Sequence, residues 1–260
     1  MTEAVIGWTG SVLRLPTSKQ LAERFCSVLG PSNLCLTPPS SGRPTGCARR
    51  PQLMSNVRLL RTMNLTTVEA DRIGARVRPL FEELLALYDF GKYPAEQYEQ
   101  FKRDFSEEGR IPPIEGAFRW KWGHWGKGNY PDAHKLLISE VSRSWPDFAA
   151  SEASGDSRST FEWWSYRLGR RTTYITVAFL THLVHHSKSL PIIDQHNFRA
   201  MNALVAEVRP GHRWKKKPSS WSDIHSLRAF LLAVLPNLEG RTLGEFDRFL
   251  MMYGRHRALR

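Results

Sequence analysis

Residues 161–208 decide the fold, and they read FEWWSYRLGRRTTYITVAFLTHLVHHSKSLPIIDQHNFRAMNALVAEV. The first helix of this segment is predicted to end at Leu168, and Gly169 makes the turn that follows it. The next helix, TTYITVAFLTHLV, is apolar almost all round, which predicts that it is buried. After the short apolar run LPII, a third helix is predicted to begin at Asp194. The segment is therefore predicted to form a helix, a glycine turn, a buried helix, a loop and a further helix.

The rest of the chain, after its first quarter, also shows helical patterning. Two capping boxes, Thr66-x-x-Glu69 and Thr242-x-x-Glu245, each predict the start of a helix. Apolar residues recur at helical spacing over 66–90, and clear alternating strands are absent from the sequence. The predicted fold class is therefore all-α, with the helices in two lobes. Further helices are predicted near 94–106, 131–145, 160–168, 172–186, 195–208, 220–235 and 242–253.

Residues 1–53 differ from the rest in composition. They are rich in Pro, Gly, Ser and Thr, and they hold six Lys or Arg against two Glu. This composition predicts a short helix near 17–28 followed by a flexible basic segment. Residues 54–260 are then the helical domain, and Met54 resembles a natural start. We therefore expect 1–53 to be a dispensable extension.

The chain is strongly basic. It has 260 residues, a formal net charge of +12 and a pI near 10.0, and 41% of its residues are hydrophobic, which is enough for a proper core. A basic chain attracts anionic polymers, of which nucleic acid is the commonest. A generic basic surface is the alternative. We expect double-stranded DNA as the partner of a monomeric protein.

Three absences in the sequence narrow the class of protein. There is no apolar run of about 18 residues or more, so no membrane span is expected. The start has no charged region before an apolar core, so no secretory signal is expected either. The cysteine spacing is not typical of a disulfide framework, a zinc site or an iron–sulfur cluster. We expect a cytoplasmic protein without a metal or other cofactor. The cysteines are Cys26, Cys35 and Cys47.

The order of elements over 160–208 resembles that of the helix-hairpin-helix DNA glycosylases. The resemblance is close over this segment and loose over the remaining helices. In that family the glycine turn offers backbone N–H groups to a DNA phosphate, and the aspartate after the apolar loop is the catalytic acid group. The matching positions here are Gly169 and Asp194, with His196 at the usual following histidine. The resemblance implies a two-lobed glycosylase fold that flips a base out of DNA and removes it.

Two departures from the family pattern bear on the mechanism. The family turn has two glycines around an apolar residue, whereas this turn has one glycine beside Arg170 and Arg171, so phosphate binding would depend more on the arginines. Members that also cut the strand carry a nucleophilic lysine at the start of the buried helix. This chain has Thr172, Thr173 and Tyr174 there. Since a Schiff base needs an amine, the resemblance implies a monofunctional glycosylase.

Asp194 is the predicted catalytic residue. Cleavage of the bond between base and deoxyribose leaves positive charge on the sugar. A nearby carboxylate stabilises that charge and orients or deprotonates the attacking water, and the free N–H groups of a helix N-terminus favour its ionised form. Asp is also a preferred N-cap, worth about 1 kcal/mol, so a purely structural role is the alternative. Asp194→Asn separates the two, because Asn caps nearly as well.

An aromatic, glycine-rich stretch is the predicted pocket for the extruded base. Residues 118–130 read FRWKWGHWGKGNY, and a Trp-rich loop is predicted over 117–129. Aromatic faces stack on bases, and the interleaved cations meet phosphates. Core packing of the tryptophans is the alternative. The predicted substrate-binding residues are Trp120, Trp122, Trp125, Tyr174 and His196, and the predicted phosphate contacts in this stretch are Lys121 and Lys127.

A second basic stretch, RPGHRWKKKPSSW at 209–221, is predicted to contact the DNA backbone, with a solvated lysine run as the alternative. Its predicted contact residues are Arg213, Lys215 and Lys216. Three histidines cluster at the end of the buried helix without an evident carboxylate ligand, so they are predicted to be surface or capping residues rather than metal ligands. These histidines are His182, His185 and His186.

The resemblance extends to a set of bacterial proteins that defend against phage by excising glucosylated hydroxymethylcytosine from viral DNA. The similarity lies in the size of the chain, the missing lysine and the missing cluster cysteines. The predicted function is therefore excision of a bulky glucosylated cytosine in antiviral defence. A repair glycosylase for oxidised or alkylated bases, a catalytically silent helical DNA-binding protein and an unrelated helical enzyme are the alternatives.

Overall fold

The structure of the protein is a computed structural model, and it describes residues 63–107, 109–169, 173–213 and 215–258. All regular secondary structure in these residues is helical, so the predicted all-α class is confirmed. No helix among them is long and apolar enough to cross a bilayer. Three predictions fall outside the described residues: the extension at 1–53, the helix near 17–28 and the turn arginines Arg170 and Arg171.

All seven helices predicted between residues 94 and 253 are present. Their ends differ from the predicted ones by a few residues. Short 3₁₀ turns lie at Arg78–Leu80, Glu152–Gly155, His186–Lys188 and Leu235–Asn237. In chain order the α-helices are α1 (Thr67–Val77), α2 (Phe81–Leu85), α3 (Ala95–Asp104), α4 (Ile114–Lys121), α5 (Asp132–Ala149), α6 (Ser157–Leu168), α7 (Tyr174–Val184), α8 (Gln195–Val208), α9 (Trp221–Val234) and α10 (Leu243–His256).

Local side-chain hydrogen bonds fix where several helices begin. Thr66 caps α1 through a reciprocal pair with Glu69, and Thr242 caps α10 in the same way with Glu245. Both predicted capping boxes are therefore confirmed. Two further boxes, which the sequence pattern did not predict, open α8 with Asp194 and Asn197 and α9 with Ser220 and Asp223.

The continuous helical pattern over 66–90 is broken in the structure. α1 ends at Val77, and a 3₁₀ turn that contains Pro79 follows before the short α2. Proline has no backbone N–H, and its ring clashes with the preceding turn of a helix, so α1 does not continue through it. Leu84 is buried, whereas Leu87, at the end of the apolar pattern, is 49% exposed. The apolar spacing is therefore meaningful only up to the end of α2.

The predicted Trp-rich loop over 117–129 is wrong in its first part. Trp120 and Lys121 belong to α4, and the loop begins only at Trp122. α4 forms because apolar residues recur at helical spacing and bury one face against the core. Both side chains are consequently held by a helix. The buried residues of α4 are Ile114, Ala117, Phe118 and Trp120.

The predicted buried helix is confirmed as α7. It follows Gly169, which ends α6 with a φ of 81°, a left-handed conformation that glycine adopts without the penalty of a Cβ. Most of α7 is enclosed by other helices, so it forms part of the centre of the hydrophobic core. Its buried residues are Tyr174, Thr176, Val177, Ala178, Phe179, Leu180, Thr181, His182 and Leu183.

The packing of α8 against α10 sets the geometry of the site. A Cβ atom added to Gly254 would lie 1.9 Å from the carbonyl oxygen of His196. Only glycine lets the two backbones approach this closely. His196 is in the first turn of α8, and Asp247 lies two turns before Gly254 on α10. The crossing therefore brings Asp194 and Asp247 to one cavity.

Candidate functional site

A cavity of about 520 Å³ opens at the N-terminal end of α8. Its walls come from α4, α7, α8 and α10 and from the loops that precede α3 and α9. This volume is within the range of small-molecule sites, about 300–1,000 Å³. The aromatic lining residues are Tyr88, Tyr93, Trp120, Trp122 and Tyr174, and the charged ones are Lys121, Asp194, Lys217, Asp247, Arg248 and Arg255.

Asp194 is both the N-cap of α8 and part of the cavity wall. Its Oδ1 accepts hydrogen bonds from the backbone N–H groups of His196 and Asn197, at 2.7 and 3.0 Å. Its Oδ2 lies 3.6 Å from Nζ of Lys121. Capping therefore occupies one oxygen and leaves the other beside the cavity. The two roles weighed for this residue are compatible in one geometry.

Lys121 is not placed as a surface residue. Its side chain is 10% exposed, and Nζ lies between Oδ2 of Asp194 at 3.6 Å and the ring of Phe179, whose centroid is 5.9 Å away. A contact with a DNA phosphate on the protein surface does not fit this position. The start of α7 has no lysine, but α4 brings an amine to the cavity from a different part of the chain.

Asp247 is a second carboxyl group in the cavity, and the sequence analysis missed it. Its Oδ1 accepts a hydrogen bond from Nδ2 of Asn197 at 3.0 Å. Burial, followed by the charge of Asp194, raises the pKa of Asp247 to about 7. The signal in the sequence was an acid on the apolar side of α10, since Leu250, Met251 and Gly254 lie three, four and seven residues later.

The tryptophans predicted to line the pocket divide into two groups. Trp120 is buried, its Nε1 donates to the carbonyl of Pro94 at 3.0 Å, and the residue is part of the cavity lining. Trp122 lines the cavity and stacks on His134 at a centroid distance of 3.9 Å. Trp125 instead packs edge-on against Phe101 and is not part of the lining. Core packing, the alternative considered for each, therefore describes Trp125, and it also describes Trp120, whose ring stacks on Tyr98 and Phe179.

Tyr174 and His196, also predicted to bind substrate, both line the cavity. The hydroxyl of Tyr174 donates to the carbonyl of Ser220 at 3.0 Å, which ties α7 to the start of α9. Nδ1 of His196 is buried and has no hydrogen-bond partner among the described residues. Burial lowers the pKa of His196 below its ordinary value. The neutral imidazole is therefore favoured near neutral pH.

The histidines at the end of α7 were predicted to be surface or capping residues: His185 is the C-cap of α7, whereas His182 is neither a surface residue nor a cap of this helix. His182 and His185 are buried, whereas His186 is half-buried. Nδ1 of His182 donates to the carbonyl of Leu190 at 2.6 Å, and its Nε2 accepts from the hydroxyl of Tyr98. Burial lowers the pKa of His182 to about 3. In the described residues no group of three potential ligands is placed to hold a metal ion.

The predicted phosphate contacts are in different environments. Lys215 is paired with the carboxylate of Asp223, whereas Arg213 and Lys216 are exposed. Lys127 is also exposed and takes no part in lining the cavity. Gly169, at the turn, is exposed as well. Of the other cations at the cavity, Lys217 lies within the predicted basic stretch 209–221 without being one of its named contacts, and Arg248 and Arg255 come from α10.

No protein-family model, curated protein or solved structure matches the chain. The chemistry of the cavity is therefore inferred from its own residues. They combine two carboxyl groups in different environments, aromatic walls and four cations. Such a set can hold a flat, polar, anion-bearing ligand and move protons at its centre.

Proposed function

We propose that the protein is a monofunctional DNA glycosylase of the two-lobed helix-hairpin-helix type. It flips a modified base out of double-stranded DNA and hydrolyses the N-glycosidic bond, leaving an abasic site. The observation that carries the proposal is the position of Asp194. One of its oxygens is fixed by two backbone N–H groups, and the other is beside a cavity with aromatic walls.

The carboxylate of Asp194 acts on the sugar. As the bond between C1′ and the base breaks, positive charge develops on C1′ and the ring oxygen. Oδ2 of Asp194 stabilises that charge and orients the water that adds to C1′. The N–H groups of His196 and Asn197 hold the carboxylate in place, so little reorganisation is needed during the reaction.

The remaining walls suit the base and its flanking phosphates. Trp122 and Tyr174 belong to the cavity lining and offer aromatic surface to a base that has left the helix. The cations Lys217 and Arg255 belong to the same lining and fit the phosphates that accompany it. The strongly basic chain, at +12, favours the same partner.

The size of the cavity favours a bulky base. A volume of about 520 Å³ leaves room beyond a bare pyrimidine ring, and aromatic faces also stack on sugars. We therefore propose glucosylated hydroxymethylcytosine of phage DNA as the substrate and antiviral defence as the role. Repair of oxidised or alkylated bases is the second candidate, and it shares the same chemistry at Asp194.

The test compares the full-length protein with Asp194→Asn on unmodified, alkylated and glucosylated DNA. Alkali then converts abasic sites into strand breaks. We expect breaks with glucosylated DNA, and a loss of about 10³-fold or more in Asp194→Asn, while thermal stability changes by less than about 1 kcal/mol. Asp156→Asn is the matched control, because Asp156 caps α6 through the N–H of Ser159 outside the cavity and should leave activity unchanged.

Two further outcomes decide the reaction class. Borohydride traps a Schiff base, so a covalent complex between protein and DNA would contradict a monofunctional mechanism and implicate the amine of Lys121. Salt-sensitive DNA binding without base release from any of the three DNAs would instead favour the catalytically silent binding protein. Breaks in alkylated DNA alone would favour the repair enzyme.

A further inference from the structure

Asp194 and Asp247 are joined through one side chain. Oδ1 of Asn197 accepts from the backbone N–H of Asp194 at 2.9 Å, and Nδ2 of the same amide donates to Oδ1 of Asp247 at 3.0 Å. Nδ2 also donates to the carbonyl of Ile192. The amide of Asn197 is therefore fixed at both ends, and it links the backbone of Asp194 to the carboxyl group of Asp247.

The protein gives the two acids different hydrogen-bond and charge partners. Asp194 receives two backbone N–H groups and lies beside the ammonium of Lys121. Asp247 receives one neutral amide, and no salt bridge reaches it within the described residues. Oδ2 of Asp247 has no hydrogen-bond partner among the described residues, and Asp247 is part of the cavity lining.

The charged and titratable groups around Asp247 come from several elements. Lys121 reaches it from α4, Asp194 from the start of α8 and Arg248 from its own helix, while the phenols of Tyr88 and Tyr98 lie close enough for its charge to help raise their pKa values. Burial outweighs the cations and raises the pKa of Asp247 to about 7. The neutral acid is thus well populated at neutral pH.

We propose that Asp247 is a second catalytic residue, which protonates the departing base while Asp194 stabilises the sugar. The proposal rests on the glycosylase function proposed above. The electron pair of the C1′–N bond passes to the base, and the proton on Oδ2 of Asp247 goes to a nitrogen or oxygen of that base. Water adds its hydroxyl to C1′ and gives its proton through Asp194 to solvent, and Asp247 recovers a proton from solvent.

A proton donor is needed because a pyrimidine leaves poorly as an anion. A general acid contributes about 10²–10⁴-fold to such a step, and it works best when its pKa is close to the working pH. Pairs of carboxyl groups held apart in pKa by their surroundings are how glycoside hydrolysis is divided between an acid and a stabilising anion. Two backbone N–H groups and an ammonium suit Asp194 to the stabilising role, and a single neutral amide suits Asp247 to the role of the acid.

The test measures kcat/KM for base release against pH, for the full-length protein and for Asp247→Asn, on the DNA from which the wild type releases a base. Asn keeps an acceptor for Nδ2 of Asn197, so fold and DNA affinity should persist. We expect the wild-type rate to fall as pH rises through about 7. In Asp247→Asn we expect a loss of about 10²–10⁴-fold at low pH and no alkaline fall. His196, whose pKa burial lowers, cannot produce that fall.

A comparison of two bases that differ in how readily they leave separates proton donation from positioning. It needs only the wild type and Asp247→Asn. An electron-poor base leaves readily as an anion, so the defect of Asp247→Asn should shrink at least tenfold for such a base. An equal defect for both bases, or an unchanged pH profile, would assign Asp247 a positioning role and overturn the proposal alone. A wild type that releases no base from any DNA would overturn the glycosylase function and this assignment together.

Discussion

The start of α8 and the middle of α10 each supply one carboxyl group to the cavity, and the two positions differ in what the helix does for the acid. At the start of α8, free backbone N–H groups point at Asp194 and bind it as an anion. In the middle of α10 the backbone groups of Asp247 are used within the helix, so its carboxyl depends on one side-chain amide. Position along a helix therefore sets how each acid is stabilised.

The largest expected effect is on how the stability of the protein depends on pH. The pKa of Asp247 is raised from 3.8 to about 7 in the folded state. The folded state therefore binds the proton of the Asp247 carboxyl group more tightly than the unfolded chain does. The stability that this proton contributes is present below about pH 4 and is lost as pH rises through 7. We expect Asp247→Asn to abolish this loss, whose upper limit is about 4 kcal/mol. Urea unfolding at several pH values measures it.

The same titration compares the two acids directly. Asp194→Asn should keep the decline in reduced form, because burial is a larger cause of the raised pKa of Asp247 than the charge of Asp194. If the free-energy difference between wild type and Asp247→Asn stays constant from pH 4 to pH 8, Asp247 does not bind its proton more tightly in the folded state. The contrast between the two helix positions would then have no energetic basis.

A smaller effect is expected where α8 and α10 cross. Gly254→Ala places a methyl group against the carbonyl oxygen of His196, at 1.9 Å before relaxation. Neither backbone can move without shifting the acid that it carries, so we expect a loss of about 2–3 kcal/mol in unfolding free energy and a lower rate of base release. Chemical denaturation and the abasic-site assay measure the two.

The control for this substitution lies on the same helix. Gly244 is exposed near the start of α10, and a Cβ there would meet only a guanidinium nitrogen of Arg248 at 3.7 Å. Gly244→Ala should therefore stabilise the protein by up to about 1 kcal/mol through helix propensity. Equal stabilities of the two alanine variants would mean that the crossing tolerates a side chain and does not fix the distance between the acids.

The sequence predicted those parts of the fold that depend on local chemistry. The apolar face of α7 and the boxes at Thr66 and Thr242 could be recognised because each depends on residues within one or two turns. The break at Pro79 was missed although proline signals it, because the apolar spacing continues past it. The short α4 was missed because Trp120 and Lys121 at its end begin a run of tryptophans and lysines that resembled a binding loop.

The site was predictable only in part, for the same reason. Asp194 is recognisable because an acid after an apolar run at a helix start has a local signature. Lys121 and Asp247 are placed beside it by tertiary packing, although they lie 73 and 53 positions away from Asp194 in the sequence. Their convergence has no local signal except an acid or amine on an otherwise apolar helix face.

The smallest expected effect concerns the loop that precedes Asp194. Asp247 lies within α10, so no such loop positions it. Tyr98 donates to His182, and His182 donates to the carbonyl of Leu190, four residues before the acid. Tyr98→Phe leaves a buried imidazole nitrogen without its donor, so we expect a loss of about 1–2 kcal/mol in unfolding free energy. The activity should fall modestly, since the N–H groups of α8 still hold Asp194.

Tyr130→Phe is the matched control for this loss, because the hydroxyl of Tyr130 donates to Glu115 at an exposed position and its removal should cost less than about 0.5 kcal/mol. Thermal or urea unfolding of both variants at one pH gives the comparison. Should Tyr98→Phe prove as stable as Tyr130→Phe, the hydrogen bonds from Tyr98 through His182 to Leu190 would not hold the loop before α8. The start of α8 alone would then fix Asp194, and the two acids would depend on their helices to the same extent.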